Sequence, residues 1–222
     1  MLNTRLILIF TLWVSVVMNV FFLASNATCQ SINAFSSSEK KAIVDAHNAI
    51  RFDPTLSPPA ANMQTMVWDD SLATVAANYV SQCVFDHNAY RGSNVGENIY
   101  MGYSQTIGTA AVNSWASEKQ YYNFNSGCQS GKICGHYTQL IWASSVKVGC
   151  ARKTCSTVYE NPDFNGATIV VCDYSPAGND IGQKPYVAGT TNNNRANDAY
   201  SSKVVNFQNL LSVIMFIVVV MW

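Results

Sequence analysis

Apolar residues recur along the chain at helical spacing in four segments. In the first, "SSSEKKAIVDAHNAIRF", Ile43, His47 and Ile50 fall at i, i+4 and i+7 and share one face of a helix. The serines that open this segment are residues that cap helix N-termini. The pattern therefore predicts four amphipathic helices, the other three being "DDSLATVAANYVSQCVF", "GTAAVNSWASEKQYY" and "HYTQLIWASS".

Two later runs, "VKVGCARK" and "ATIVVCDY", have the length and the β-branched content of strands. The segment between them contains the pair Asn165-Gly166, which favours a hairpin turn. Residues 87–107 are rich in Gly, Asn, Ser and Tyr and are predicted to form a loop with little regular structure. Helices followed by a hairpin indicate an α+β domain, which we place at residues 34–186.

The N-terminal end of the chain has the pattern of a secretory signal peptide. Its first 24 residues contain one arginine and a long apolar run, and the small residues of "ASNATCQ" follow. We predict a signal peptide over residues 1–27, with its end between 24 and 29. The alternative is a signal anchor that stays in the membrane.

The C-terminal end carries a predicted polar linker, residues 187–209, and a hydrophobic tail, residues 210–222. The tail is shorter than the roughly 20 apolar residues that span a bilayer. Small residues around Asn197, a polar spacer and a terminal apolar run form the pattern of a glycolipid-anchor signal. We therefore expect a lipid anchor attached at Asn197; a weak transmembrane tail anchor is the alternative.

The charge balance and the cysteines of the chain limit the binding partners and the cellular compartment that we expect for it. Lys plus Arg number 13 and Asp plus Glu also 13. The chain therefore lacks the basic excess with which proteins hold nucleic acid or an anionic membrane. Seven cysteines behind a signal peptide are expected to form disulfides in an oxidising compartment. Six of them lie between residues 83 and 172, and their spacing alone leaves the pairing open; Cys29 stands apart at the processing boundary.

Four titratable side chains stand out as candidates for a site: His87, Glu97, Glu118 and His136. Glu118 falls on an apolar helical stripe with Trp115, where an isolated charge would cost several kcal/mol. Glu97 lies in the predicted loop, His87 closes the second predicted helix, and His136 opens the fourth. Two imidazoles suit a divalent ion such as Zn²⁺. The same four groups without metal could instead form a hydrogen-bonded structural cluster.

Two segments, "GHYTQLIWASSVKVGCA" and "CDYSPAGNDIGQKPY", resemble the two signature segments of the CAP superfamily. This superfamily comprises cysteine-rich secretory proteins, antigen five proteins and pathogenesis-related class one proteins. "AHNAIR", "MVWDDSLATVAANYVSQC" and "VGENIYMG" match its remaining blocks in the same order, so that the resemblance covers roughly residues 38–186. It implies a three-layer α-β-α sandwich with a small central antiparallel sheet.

The resemblance also assigns roles to individual residues. It implies a cavity tetrad of His87, Glu97, Glu118 and His136, and the disulfides Cys83–Cys155, Cys128–Cys134 and Cys150–Cys172. His47 matches the first helix of the family and is interpreted, with Asn48 and Arg51, as structural. Asn88 departs from the serine that commonly follows the first tetrad histidine, which puts the local hydrogen bonding in question.

Family members of similar pattern bind sterols or fatty acids, and some bind a divalent metal in the tetrad cavity. We therefore expect a secreted or cell-surface module that binds a sterol or fatty acid in an apolar groove near "SQTIGTAAV", with a histidine–glutamate tetrad cavity able to hold a divalent metal. A metal-dependent hydrolase or protease is one alternative, although no serine or cysteine nucleophile is visibly paired with a base. A defence or signalling ligand that a surface receptor recognises is the other.

Overall fold

The computed structural model describes residues 34–190. The predicted signal peptide, Cys29, most of the predicted linker, Asn197 and the predicted hydrophobic tail lie outside these residues. Among the residues described, none of the helices combines the length and the apolarity that crossing a membrane requires.

Within residues 34–190, four α-helices occupy the segments in which the periodicity predicts them. They are α1 (Ser37–Arg51), α2 (Asp70–Val80), α3 (Ile107–Ser117) and α4 (Gly135–Leu140). A capping box starts α1: the Ser36 hydroxyl accepts from the Glu39 backbone N–H, and the Ser36 N–H donates to the Glu39 carboxylate.

The second helix is shorter than predicted. It ends at Val80, because the chain turns at Cys83, whose φ of 55° lies in the left-handed region that a right-handed helix cannot contain. The Cys83 sulfur is tied to Cys155, and Val84 makes a bridge to Tyr159. His87 therefore lies in a loop and does not close a helix, which corrects the prediction.

The third and fourth helices also end early. The α-helical turns of α3 give way to a 3-10 helix (Glu118–Tyr121), which begins at the predicted site residue Glu118. The helix α4 stops at Leu140, since the Leu140 carbonyl accepts a hydrogen bond from the buried Arg51 guanidinium.

A four-stranded sheet lies between the helices, in the order β1 (Val67–Trp68), β5 (Lys147–Thr154), β6 (Thr168–Ser175) and β2 (Gly96–Gly102). The strands β5 and β6 form the predicted antiparallel hairpin, but residues 155–167 connect them in place of a tight turn at Asn165-Gly166. The strand β2 is antiparallel to β6. The short β1 runs parallel to β5. The sheet is therefore mainly antiparallel. A separate ladder joins β3 (Tyr122–Asn123) to β4 (Gly127–Cys128).

The strand β2 contradicts the prediction of a loop over residues 87–107, and it carries Glu97. Its Gly, Glu and Asn residues have low strand propensity. However, β2 pairs with β6 along its whole length, from Gly96 opposite Tyr174 to Gly102 opposite Thr168. Partners far away in the chain thus override the local preference.

The part of the core that packs on the sheet is divided in two, because successive side chains of β6 point to opposite faces of the sheet. Val170, Cys172 and Tyr174 pack with α1, α3 and α4 on one face. Ile169 and Val171 pack with α2 on the other. The predicted three-layer α-β-α sandwich is confirmed.

Three disulfides cross-link the described residues. They join the cysteines in the pairs that the resemblance implies. Cys150 and Cys172 are register partners on β5 and β6. Cys83–Cys155 ties the loop after α2 to the chain just beyond β5, and Cys128–Cys134 closes the short loop before α4. Three bridges fit an oxidising, extracellular compartment.

Candidate metal and ligand sites

The first histidine–glutamate pair lies where the loop after α2 meets β2. His87 Nδ1 is 2.8 Å from Glu97 Oε1, which also accepts from the Asn88 backbone N–H at 2.9 Å. The Glu97 side chain is fully buried, whereas that of His87 is 54% exposed. A buried carboxylate thus orients an exposed imidazole. Because Asn88 contributes its main chain here, its departure from serine leaves this contact intact.

The second pair joins α4 to the 3-10 helix after α3. His136 Nδ1 is 2.6 Å from Glu118 Oε1, and Glu118 Oε2 accepts from the Tyr137 backbone N–H at 3.1 Å. The Glu118 side chain is only 15% exposed, and both of its oxygens are satisfied, as a largely buried carboxylate requires. The His136 ring stacks on Trp115, with 6.2 Å between ring centroids.

The strand β2 connects the two pairs. Asn98 follows Glu97, and its side-chain amide donates to the His136 carbonyl at 3.1 Å. Trp115 Nε1 donates to the Ile99 carbonyl at 3.1 Å. Both histidines are therefore positioned by contacts to the first half of the same strand.

The two pairs offer one imidazole nitrogen each to a further partner. In both pairs the carboxylate contacts Nδ1, which leaves Nε2 of each imidazole for another partner. Metal-ligating histidines are commonly oriented in this way, by a carboxylate on the other ring nitrogen. Within residues 34–190, however, no three or more His, Cys, Asp or Glu side chains are arranged to hold a metal. The structure thus joins the four predicted residues as two pairs, with Glu97 and Glu118 placed to orient the histidines.

Asp173 is a buried carboxyl group beside this site that sequence reasoning missed. It is the register partner of Glu97 across β2 and β6, and it is fully buried. Neither Asp173 oxygen has a hydrogen-bond partner among the described residues, and Glu97 Oε2 also lacks one. Burial, followed by the charge of Glu97, raises the pKa of Asp173 to about 8. The sequence could have identified Asp173 by its spacing in β6. Ile169, Val171 and Asp173 are two residues apart and lie on the same face of the strand, and the side chains of Ile169 and Val171 are buried.

His47 belongs to neither pair, in line with its structural interpretation. It is fully buried; Nδ1 donates to the Ile43 carbonyl at 2.8 Å, and Nε2 accepts from the Tyr174 hydroxyl at 3.0 Å. Burial lowers the pKa of His47 to about 4, so the ring stays neutral at physiological pH.

A narrow cavity of about 110 Å³ lies between α1 and the start of α3. Its lining includes Phe35, Ala42, Ile43 and Gly108. It also includes Gln105, Thr106 and Thr109, which lie in the segment where the sequence predicts an apolar groove. A Cβ atom at Gly108 would lie 2.7 Å from Ile43 Cδ1. The glycine therefore permits the close approach of the two helices beside the cavity.

A wide groove of about 550 Å³ lies between the Cys128–Cys134 loop, α4 and residues 179–185. Tyr122, Ile133 and Trp142 give it apolar walls, and Lys132 and Lys184 add positive charge. Sequence reasoning missed this groove, because its walls come from segments that meet only in the folded chain.

The sandwich, the two histidine–glutamate pairs and the three bridges together define a disulfide-bridged α-β-α domain. Residues 44–174 match the cysteine-rich secretory protein family (CAP), and the chain belongs to this family.

Individual relatives show how much of the chain is shared. Pathogenesis-related protein 1B of Nicotiana tabacum is 40% identical over 172 residues, which cover 75% of this chain and 94% of the tobacco protein. Peptidase inhibitor 16 of Mus musculus is 40% identical over 159 residues, covering 71% of this chain but only 31% of the mouse protein. The chain thus spans about a third of that relative. The crystal structure of NaASP2 with Zn²⁺ is 30% identical with a TM-score of 0.58, covering 72% of this chain and 90% of that one.

Proposed function

We propose that this chain is an extracellular binding module that holds a divalent metal ion, Zn²⁺ first, through His87 and His136, and a lipid in an apolar cavity. The observation that carries the metal proposal is the carboxylate on Nδ1 of each histidine, which leaves both Nε2 atoms for an ion. The relative NaASP2, crystallised with Zn²⁺, supports it. Catalytic zinc sites use three protein ligands, so two imidazoles favour reversible binding over hydrolysis.

Zinc titration of the full chain by calorimetry tests this proposal. We expect His136→Ala to abolish binding at the site. Glu118→Gln should weaken binding by about 10- to 100-fold, because it removes the carboxylate that orients His136. Glu160→Gln is the matched control, since Glu160 is exposed and lies outside both pairs. Zinc binding of His136→Ala that equals the wild type would rule the site out.

The lipid proposal rests on the sizes of the two cavities. Typical ligand pockets measure about 300–1,000 Å³. The narrow cavity, at about 110 Å³, is below this range and suits the end of a thin acyl chain. The wide groove, at about 550 Å³, is within it, and Tyr122 and Trp142 offer flat aromatic walls to sterol rings. We therefore place a fatty acid in the narrow cavity and a sterol in the wide groove.

A pair of variants separates the two lipid sites. Ala42 and Ile133 are both exposed, so their replacement leaves the core untouched. We expect Ala42→Phe to reduce palmitate binding several-fold and to leave cholesterol binding unchanged. Ile133→Asp should do the opposite. Measurement is by competition with labelled lipids, and loss of both ligands in one variant would contradict the assignment of separate sites.

We place the action of the protein outside the cell, where the three disulfides persist. Attachment to the outer face of the membrane at Asn197, or through the hydrophobic tail, remains a prediction on residues outside the described part of the chain. Release of the protein from cells by a phosphatidylinositol-specific phospholipase tests the anchor. Recognition by a surface receptor is also still a prediction.

A further inference from the structure

The bridge Cys128–Cys134 differs from the other two in its access to solvent. Cys128 is exposed, whereas Cys150 and Cys172 are 1% and 0% exposed and Cys155 is 1% exposed. Thiol–disulfide exchange requires a thiolate to reach one of the bridged sulfurs. Cys83 is partly buried, so Cys128 is the most exposed of the six bridged cysteines and the one that a reductant in solution reaches most readily.

The same bridge also closes the smallest loop. Its cysteines are 6 residues apart, compared with 22 for Cys150–Cys172 and 72 for Cys83–Cys155. In the chain-entropy account, a disulfide stabilises the fold less when its loop is shorter. The loss of Cys128–Cys134 should therefore leave the sandwich folded, since the two bridges that close longer loops remain.

The loop that this bridge closes lines the wide groove and directly precedes the helix that carries His136. Lys132 and Ile133 form one wall of the wide groove. Cys134 directly precedes α4, and its carbonyl accepts from the Thr138 N–H at 2.9 Å. His136 follows two residues later. Opening the bridge thus frees a groove wall and removes the covalent tether beside a candidate metal ligand.

We propose that Cys128–Cys134 is a thiol-operated switch that a dithiol reductant opens in the folded protein, releasing the wall of the wide groove. One thiolate of the dithiol attacks the Cys128 sulfur, the Cys128–Cys134 bond breaks, and Cys134 leaves as a thiolate. The second thiol of the reductant then displaces Cys128 from the mixed disulfide. The reductant loses two electrons and becomes a disulfide, the bridge gains the two electrons, and the two protons of the dithiol pass to the cysteines.

Graded reduction of the full chain tests the chemistry. The protein is treated with increasing dithiothreitol and alkylated, and the labelled cysteines are mapped by peptide mass spectrometry. Because Cys29 lies outside the described residues, its labelling is compared with its labelling in the unreduced sample. We expect Cys128 and Cys134 to be labelled at least ten-fold faster than the four other bridged cysteines, with the circular dichroism spectrum unchanged. Equal labelling of a second bridge, or loss of the spectrum together with the first labelling, overturns the proposal.

A double variant tests the structural consequence separately. In Cys128→Ser/Cys134→Ser, we expect amide hydrogen exchange over residues 128–136 to accelerate at least ten-fold, with α2 and β5 unaffected. The control Cys83→Ser/Cys155→Ser should leave that loop protected in whatever fraction remains folded. Unchanged exchange at 128–136 in the first variant overturns the switch.

The effect on a ligand rests on the proposed sterol site. If cholesterol binds the wild type, the double variant should bind it at least ten-fold more weakly, whereas palmitate binding should be unchanged. Equal cholesterol affinity in the double variant overturns the release of a groove ligand. If cholesterol does not bind the wild type, the sterol assignment fails, but the labelling and exchange experiments still decide on the switch.

Discussion

Arg51 is a charged residue placed deep in the fold, between the end of α1 and the end of α4. Its side chain donates five hydrogen bonds to four backbone carbonyls, those of Gln64, Leu140, Trp142 and Ala143. Burial lowers the pKa of Arg51 only to about 10, so the group remains charged at neutral pH. One side chain thus satisfies carbonyls that the short α4 leaves without helical partners.

Replacement of Arg51 should be strongly destabilising. In Arg51→Met the carbonyls of Leu140, Trp142 and Ala143 stay buried but lose this donor, and we expect a loss of about 3–5 kcal/mol in the free energy of unfolding. Lys41→Met is the comparison, since it removes an exposed ion pair with Asp45 and should cost less than about 1 kcal/mol. Urea denaturation measures both. Similar losses in the two variants would show that the Arg51 network contributes little.

The roles of single residues were predictable to different degrees. Glu118 was identified as a paired carboxylate because an unpaired charge on an apolar stripe is too costly. Its partner His136 could be proposed from the family resemblance, but the Nδ1 contact could not. Asp173 was missed, because its significance comes from Glu97, a residue on another strand. The chemistry of a side chain is visible in sequence, but its neighbours are not.

The helix α2 and the strand β5 approach each other closely at Gly149. A Cβ atom built there would lie 2.2 Å from the Ala73 nitrogen and 2.4 Å from the Asp69 carbonyl oxygen. Both of these atoms belong to the backbone around the start of α2, so they cannot move aside as a flexible side chain can. The absence of a side chain at this position thus sets the spacing between the sheet and its second helical layer.

We therefore expect Gly149→Ala to force α2 away from the sheet and to destabilise the protein at the upper end of the roughly 1–3 kcal/mol typical of overpacking. Gly135→Ala is the matched control, because the nearest atom to its new Cβ would be Asn179 Nδ2, at 4.0 Å. Thermal denaturation compares the two. A control that melts as early as Gly149→Ala would argue against the close-approach explanation.

Some helices and strands can be predicted from the periodicity of apolar residues alone, and others cannot. The helix positions and the β5–β6 hairpin follow from local patterns, because a helix face and a strand run are both visible within about ten residues. The boundaries of α2 and α4 do not, since they depend on Cys83 turning toward Cys155 and on Arg51 reaching the Leu140 carbonyl. The strand β2 exists only through its pairing with β6.

The stability of the protein should depend on pH through two buried groups that act in opposite directions. The pKa of Asp173 rises from an ordinary 3.8 to about 8, so the folded state keeps a proton that the unfolded state loses over this range. Its contribution to stability therefore falls as pH rises toward 8. The pKa of His47 falls from 6.5 to about 4, so here the unfolded state binds the extra proton and stability rises with pH over that window.

Between pH 4 and 6.5, the contributions of Asp173 and His47 to the free energy of unfolding change in opposite directions. Between pH 6.5 and 8, only the contribution of Asp173 changes. We expect the free energy of unfolding to decline over this upper window, by at most about 1.4 kcal/mol per pH unit. Asp173→Asn should remove the decline and leave a rise between pH 4 and 6.5. Asp163→Asn, at an exposed position, is the control. A decline that persists in Asp173→Asn would assign it to another group.

The α+β class, the helical segments and the hairpin can be derived from the amino-acid sequence alone, and the family resemblance identifies the residues of both histidine–glutamate pairs. These features depend on residues close together in the chain or on motifs that can be read directly. Three features are visible only in the folded chain: the four site residues join as two pairs, Asp173 lies beside Glu97, and the wide groove forms around the Cys128–Cys134 loop. Each of these depends on segments distant in sequence that burial of apolar surface and strand pairing bring together, and no local pattern records such contacts.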